Sequence, residues 1–209
     1  MEKTKKNLRW NAKKTRIITG MAMMTAIVAA LELFAGFIGI KFGTFNITLS
    51  LAPIIVGSAL YGWKAGAWLG FVFGFITCFE PSTASFMTIN PPATIAICII
   101  KGTAAGLLGG VVYTAIEKRF EKKNRYAAVV TAGVVTPLVN TGIFLIGAAL
   151  FFLDTLRAWG EGFGFSDVFV YMIVGLVGLN FPIELAINMV LSYGIVRIID
   201  TVKKQSKKT

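Results

Sequence analysis

Long apolar stretches separated by short polar breaks run almost the whole length of the chain. Residues 17–40 exceed the ~20 apolar positions a helix needs to cross a ~30 Å hydrocarbon core, and they read as a first span. Residues 46–61 would make a helix of only about 24 Å at ~1.5 Å per residue. With Pro53 inside it, that segment suits a span shielded by protein better than one facing lipid. A third span, 65–79, follows the interruption at Gly62, Trp63 and Lys64. Residues 80–92 read as a polar, proline-containing loop, 93–116 as a fourth span, 117–125 as a charged loop, and 127–153 as a fifth span containing Pro137. Residues 154–166 are polar with three glycines, and 167–179 are apolar but too short to cross alone. Residues 181–199 form the sixth span, with Pro182 in its first turn, where a missing amide costs little. The expected fold is an all-α membrane protein: a six-transmembrane-helix bundle (17–199) in one domain over 1–209, flanked by basic tails at 1–16 and 200–209.

Within this pattern two stretches repeat small residues every fourth position. Gly62, Gly66, Gly70 and Gly74 do so in the third span, and Gly102, Gly106 and Gly110 in the fourth. Residues four apart are neighbours on a helix surface. A bare backbone face lets another helix approach closely, the way helices pack where lipid removes the hydrophobic incentive to associate. Ala22, Ala26 and Ala30 repeat the spacing on the first span. By spacing alone they form either an internal packing face or a docking face for a partner helix, and only exposure of that face separates the two.

Composition agrees with the pattern. Charged residues are 15% of the chain against about 25% in soluble domains, too few to clothe a water-facing surface. The first twenty residues are basic but lack a short apolar core with a small-residue cleavage site, so no signal peptide is read there. Eighteen of the 21 lysines and arginines fall in the N-terminal tail, at Lys64, in 117–125 and from Arg197 onwards. By the positive-inside rule both termini are cytoplasmic, in a multi-pass protein of the cell membrane. The net charge of +11 follows from that bias, since the basic residues flank apolar spans rather than forming a nucleic-acid-binding face. Histidine is absent and Cys78 and Cys98 lie in apolar runs without metal-ligand spacing, so neither a metal nor a cofactor is expected. No nucleophile–base pair and no phosphate-cradling loop is visible, which points away from an enzyme.

Glu32, Lys101 and Glu184 are ionisable residues inside apolar spans, and such residues belong at a bundle interior or a water-filled cavity. Asn180, Glu184 and Asn188 repeat every fourth residue, giving the last span one polar face, and Thr136 and Asn140 do the same beside Pro137. These groups either satisfy each other, as in a Lys101–Glu184 ion pair, or line a polar pocket with Phe144, Tyr171 and Phe181 as walls.

The small-residue first span, TLSLAPIIVGSALYGWKAGAWLGFVFG, KGTAAGLLGG, TPLVNTGIF and NFPIELAINMVLSYGIVRII together resemble an S component of the energy-coupling-factor (ECF) vitamin transporters, over residues 15–200. NTGIF and the last stretch are most similar to the pantothenate-type members. The resemblance implies six helices with both termini inside, no catalysis, and capture of a vitamin from outside. It implies partnership with a transmembrane coupling (T) protein and two ABC-type ATPases. The family's alanine motif on the first helix docks on the coupling protein, which would give Ala22, Ala26 and Ala30 that role. The loop after the first helix acts as a lid, placing Asn46 over the ligand. For an anionic vitamin, Lys101 or Arg157 would meet the carboxylate, while Asn140, Asn180 and Glu184 meet hydroxyl and amide groups. Folate, cobalamin or nucleoside-like S components, and a self-sufficient secondary transporter, are the alternatives.

Overall fold

The computed structural model describes residues 2–37, 41–42, 45–46, 50–119, 125–178 and 180–205. Nearly all of them are helical. In chain order they form α1 (Glu2–Phe37), a two-residue antiparallel ladder of β1 (Lys41–Phe42) and β2 (Phe45–Asn46), then α2 (Leu51–Tyr61), α3 (Trp63–Thr77) and α4 (Pro81–Ile89). The chain continues through α5 (Pro91–Arg119), α6 (Arg125–Phe151), α7 (Leu153–Gly162), α8 (Val168–Val170), a π-helical segment (Tyr171–Val177) and α9 (Asn180–Gln205).

Among the described residues four stretches are long and apolar enough to cross a membrane: Lys14–Ala35, Pro91–Arg119, Arg125–Phe151 and Phe181–Val202. A fifth arises if α3 and α4, bent by 75° at their junction, count as one span. The expected count of six therefore includes α2, an 11-residue helix of about 16 Å at ~1.5 Å per residue, short of the membrane on its own. Leu51 and the run from Ile54 to Ala59 are buried, so α2 sits within the protein as its length requires.

Four expected loops or tails turn out wholly or partly helical. The basic N-terminal tail is part of α1, and α9 carries the last basic residues as far as Gln205. Residues 80–92 hold a helix because Pro81 occupies the first turn, where proline is tolerated. Asn90, disfavoured in the helical region by the following Pro91, then ends α4 at φ −146° and ψ 84°. In 154–166 the glycines gather towards the C-terminal end of α7 rather than interrupting it.

The glycine faces explain the bundle's centre. A Cβ at Gly66 would overlap the carbonyl of Gly106, and one at Gly70 the carbonyl of Gly102; one at Gly102 or Gly106 would strike α3 in return. The two helices therefore touch backbone to backbone, and the serial glycines of α3 and α5 are one interlocked seam. Gly62, at φ +93°, makes the turn between α2 and α3.

Three apolar clusters surround this seam. Val28, Leu51, Ile54, Leu69 and Phe73 join α1, α2 and α3. Ile55, Tyr113, Val129 and Ile195 join α2, α5, α6 and α9. Ile97, Phe152, Leu156 and Tyr171 join α5, α6, α7 and the π-helical segment. Outward-facing Ile18, Leu150 and Val190 are exposed at 68%, 72% and 78%, the surface of a chain clothed by lipid rather than water.

Candidate functional site

Where the first and third clusters face each other, a cavity of about 590 Å³ opens between the helices. Phe73 forms one wall and Phe144, Phe152, Tyr171 and Phe181 another. The aromatic wall is ordered: the Phe86 ring meets those of Phe144, Phe152 and Trp159 edge-on, with centroids 5.9, 5.1 and 5.4 Å apart. Such pairs fix ring orientation.

Lys101, Asn140 and Glu184 line this cavity from α5, α6 and α9. Asn140 and Glu184 are 9% and 4% exposed, and among the described residues Asn140 Oδ1 and Glu184 Oε1 have no hydrogen-bond partner. A buried polar atom without a partner costs about 1–3 kcal/mol. Two of them on one cavity wall are a vacancy for donors brought by a guest. Among the described residues Lys101 makes no ion pair; its ammonium lies 5.4 Å from the Phe144 ring centroid. Mutual satisfaction through a Lys101–Glu184 ion pair is therefore not what the structure holds. Asn188, one turn deeper than Glu184, is 2% exposed and lies outside the cavity lining.

The other expected site residues fall elsewhere. Arg157 is exposed on α7, 3.8 Å from Asp154, and does not line the cavity. Asn46 lies in β2 and Asn180 opens α9, but both side chains lie outside the described residues. Glu32, Thr77, Glu80 and Ser82 are among the polar lining residues left out of the site residues expected from sequence. Glu32 could have been included, being a carboxylate in an apolar span. Glu80 looked like a solvated loop residue because nothing local shows that the chain bends back over the bundle there.

The cavity occupies one end of the bundle. Lys101 precedes Lys118 on α5 by about 26 Å, and Glu184 precedes Arg197 on α9 by about 20 Å, at ~1.5 Å per residue. The opposite end holds the basic residues and an ionic clamp, in which Arg125 meets Glu117 at 3.3 Å and also pairs with Asp200. On the outer side of the bundle, Ala22, Ala26 and Ala30 are all exposed along α1, so the protein's own helices leave that face uncovered.

The family model "ECF transporter, substrate-specific component" matches residues 16–196. The chain belongs to that family. The ECF component is also similar to the pantothenic acid transporter PanT of Lactococcus lactis subsp. cremoris (strain MG1363), at 28% identity over 202 residues. The match covers 89% of this ECF component and 94% of that protein. A family of transporter components, together with helices able to cross a membrane, accounts for a cavity with fixed polar groups and apolar walls.

Proposed function

We propose that this protein is the high-affinity capture subunit of an ECF importer for pantothenate. It takes the vitamin from outside the cell and delivers it through a coupling protein and two ATPases. The observation that carries the reading is the convergence of Lys101, Asn140 Oδ1 and Glu184 Oε1 on one cavity, where among the described residues the two oxygens have no hydrogen-bond partner and Lys101 makes no ion pair. A carboxylic acid with amide and hydroxyl donors matches that set: the ammonium takes the carboxylate and the orphan acceptors take donors. The similarity to a pantothenic acid transporter supports the choice of vitamin. The cavity's distance from the basic end of the bundle supports an outward-facing mouth, with both termini in the cytoplasm. The exposed Ala22, Ala26 and Ala30 support α1 as the surface on which the coupling protein docks, since small side chains let a partner helix approach.

Calorimetric titration of the purified protein with pantothenate tests this reading. Saturable binding is expected in the wild type, with affinity lowered about 10-fold or more in Lys101→Ala, Asn140→Ala and Glu184→Ala, each of which removes one hydrogen-bonding or charged contact. Unchanged affinity in all three removes the site. Binding of folate, cobalamin or a nucleoside instead replaces the vitamin. Uptake in a host without the coupling module makes the protein a self-sufficient carrier.

A further inference from the structure

The cavity has a further polar group in its lining. Glu32 on α1 and Glu80 at the α3–α4 bend both line it, at 3% and 7% exposure, and their carboxyl groups meet there. Donors surround the pair: Ser50 and Thr77 donate to Glu32, the latter at 3.1 Å, and Ser82 donates to Glu80 at 3.2 Å. Among the described residues neither carboxyl has a lysine or arginine within ion-pair distance. Acidic residues gathered in this way do not make a site by themselves. Here Asn140 Oδ1 and Glu184 Oε1, more than nine-tenths buried and unpartnered, face the same cavity.

Counting donors and acceptors sets the ligand's polarity. Among the described residues the cavity lining offers one cation, Lys101, and acceptors at Asn140, Glu184 and the acid pair. A guest must therefore bring one anionic group and several O–H or N–H donors. Two buried carboxyl groups in contact do not both ionise, so the pair presents at most one negative charge, and that charge disfavours the guest's anion beside it. The guest's hydroxyls are welcome there, because a hydroxyl donating to a carboxylate makes a charge-assisted bond. On the reading that the guest is pantothenate, we propose that Glu32 and Glu80 form a hydroxyl-recognising subsite, accepting from the ligand's hydroxyls while Lys101 takes its carboxylate. Pantothenate carries a carboxylate, an amide N–H and a pair of hydroxyls, which suits this inventory. Glu32 and Glu80 then set specificity for hydroxylated acids over plain N-acyl amino acids.

The test titrates the full-length protein with pantothenate and with its analogue lacking both hydroxyls. The wild type is expected to prefer pantothenate by about 100-fold or more, since a site built to bond hydroxyls rejects ligands without them. Glu80→Gln is expected to weaken pantothenate about 10-fold and leave the analogue unchanged, because the neutral amide is a poorer acceptor. Lys101→Gln is expected to weaken both compounds equally. Glu32→Gln disturbs the bonds from Ser50 and Thr77, so the comparison of the two ligands on the wild type stands independently of that variant's folding. Equal affinity of the wild type for both compounds, or equal weakening of both by Glu80→Gln, overturns the subsite while leaving pantothenate capture intact. Failure of the wild type to bind either compound overturns the ligand reading and the subsite together.

Discussion

Alanine in place of Gly70 is expected to destabilise the protein, while the same change at Gly142 leaves it unharmed. A methyl group at Gly70 would overlap the Gly102 carbonyl oxygen and lie 2.9 Å from its carbon and 3.2 Å from the Gly106 nitrogen. Comfortable contacts start at about 3.5 Å, so α3 and α5 must separate by roughly 1 Å or more to admit it. The opposing atoms are backbone and cannot rotate aside. Overpacking of this kind costs about 1–3 kcal/mol, offset by up to ~1 kcal/mol from alanine's better helix propensity. The net loss is about 1–2 kcal/mol, or roughly 2–8 °C in Tm for a chain of this size. At Gly142 nothing lies within 4 Å of the added carbon, so only the propensity gain remains. Thermal unfolding of the ligand-free protein in detergent reads both. A Gly70→Ala variant that melts at or above the wild type, or a Gly142→Ala variant that falls as far, refutes the interlocked seam.

Three further expectations follow from the same geometry. Asn140→Ala should scarcely change Tm without ligand, because its Oδ1 has no partner to lose, yet it should shrink the stabilisation pantothenate confers. A 10-fold weaker Kd removes about 1.4 kcal/mol at saturating ligand, and an unchanged ligand-induced shift in Tm would exclude Asn140 from the site. Ala26→Leu, on the exposed face of α1, should abolish uptake in cells while sparing binding by the isolated protein; uptake at the wild-type rate would exclude that face as the docking surface. Arg125→Ala should lower stability by about 1–3 kcal/mol by leaving Glu117 without its guanidinium. Asp200→Asn, at a half-exposed partner, should cost under about 1 kcal/mol. Equal losses in the two variants, measured by thermal unfolding, would show that the clamp does not distinguish buried from exposed partners.

Apolar run length and the placement of lysine and arginine are local quantities, and they were enough to reveal a helical membrane protein and most of its long helices. Lys101 and Glu184 stood out for the same reason, since a charge among apolar neighbours needs no partner to be conspicuous. The glycine repeats announced a close approach, but only the packed structure decided that the partners are α3 and α5. The bend at Glu80 was likewise hidden: Pro81 is compatible with a loop or with a first helical turn, and tertiary packing chose the helix. The cavity belongs wholly to that level. Glu32, Glu80, Lys101, Asn140 and Glu184 are scattered over five segments, and which of them share a hollow depends on the rotation and tilt of every helix. Periodicity tells a helix that it has a polar face; it does not tell that face what lies opposite.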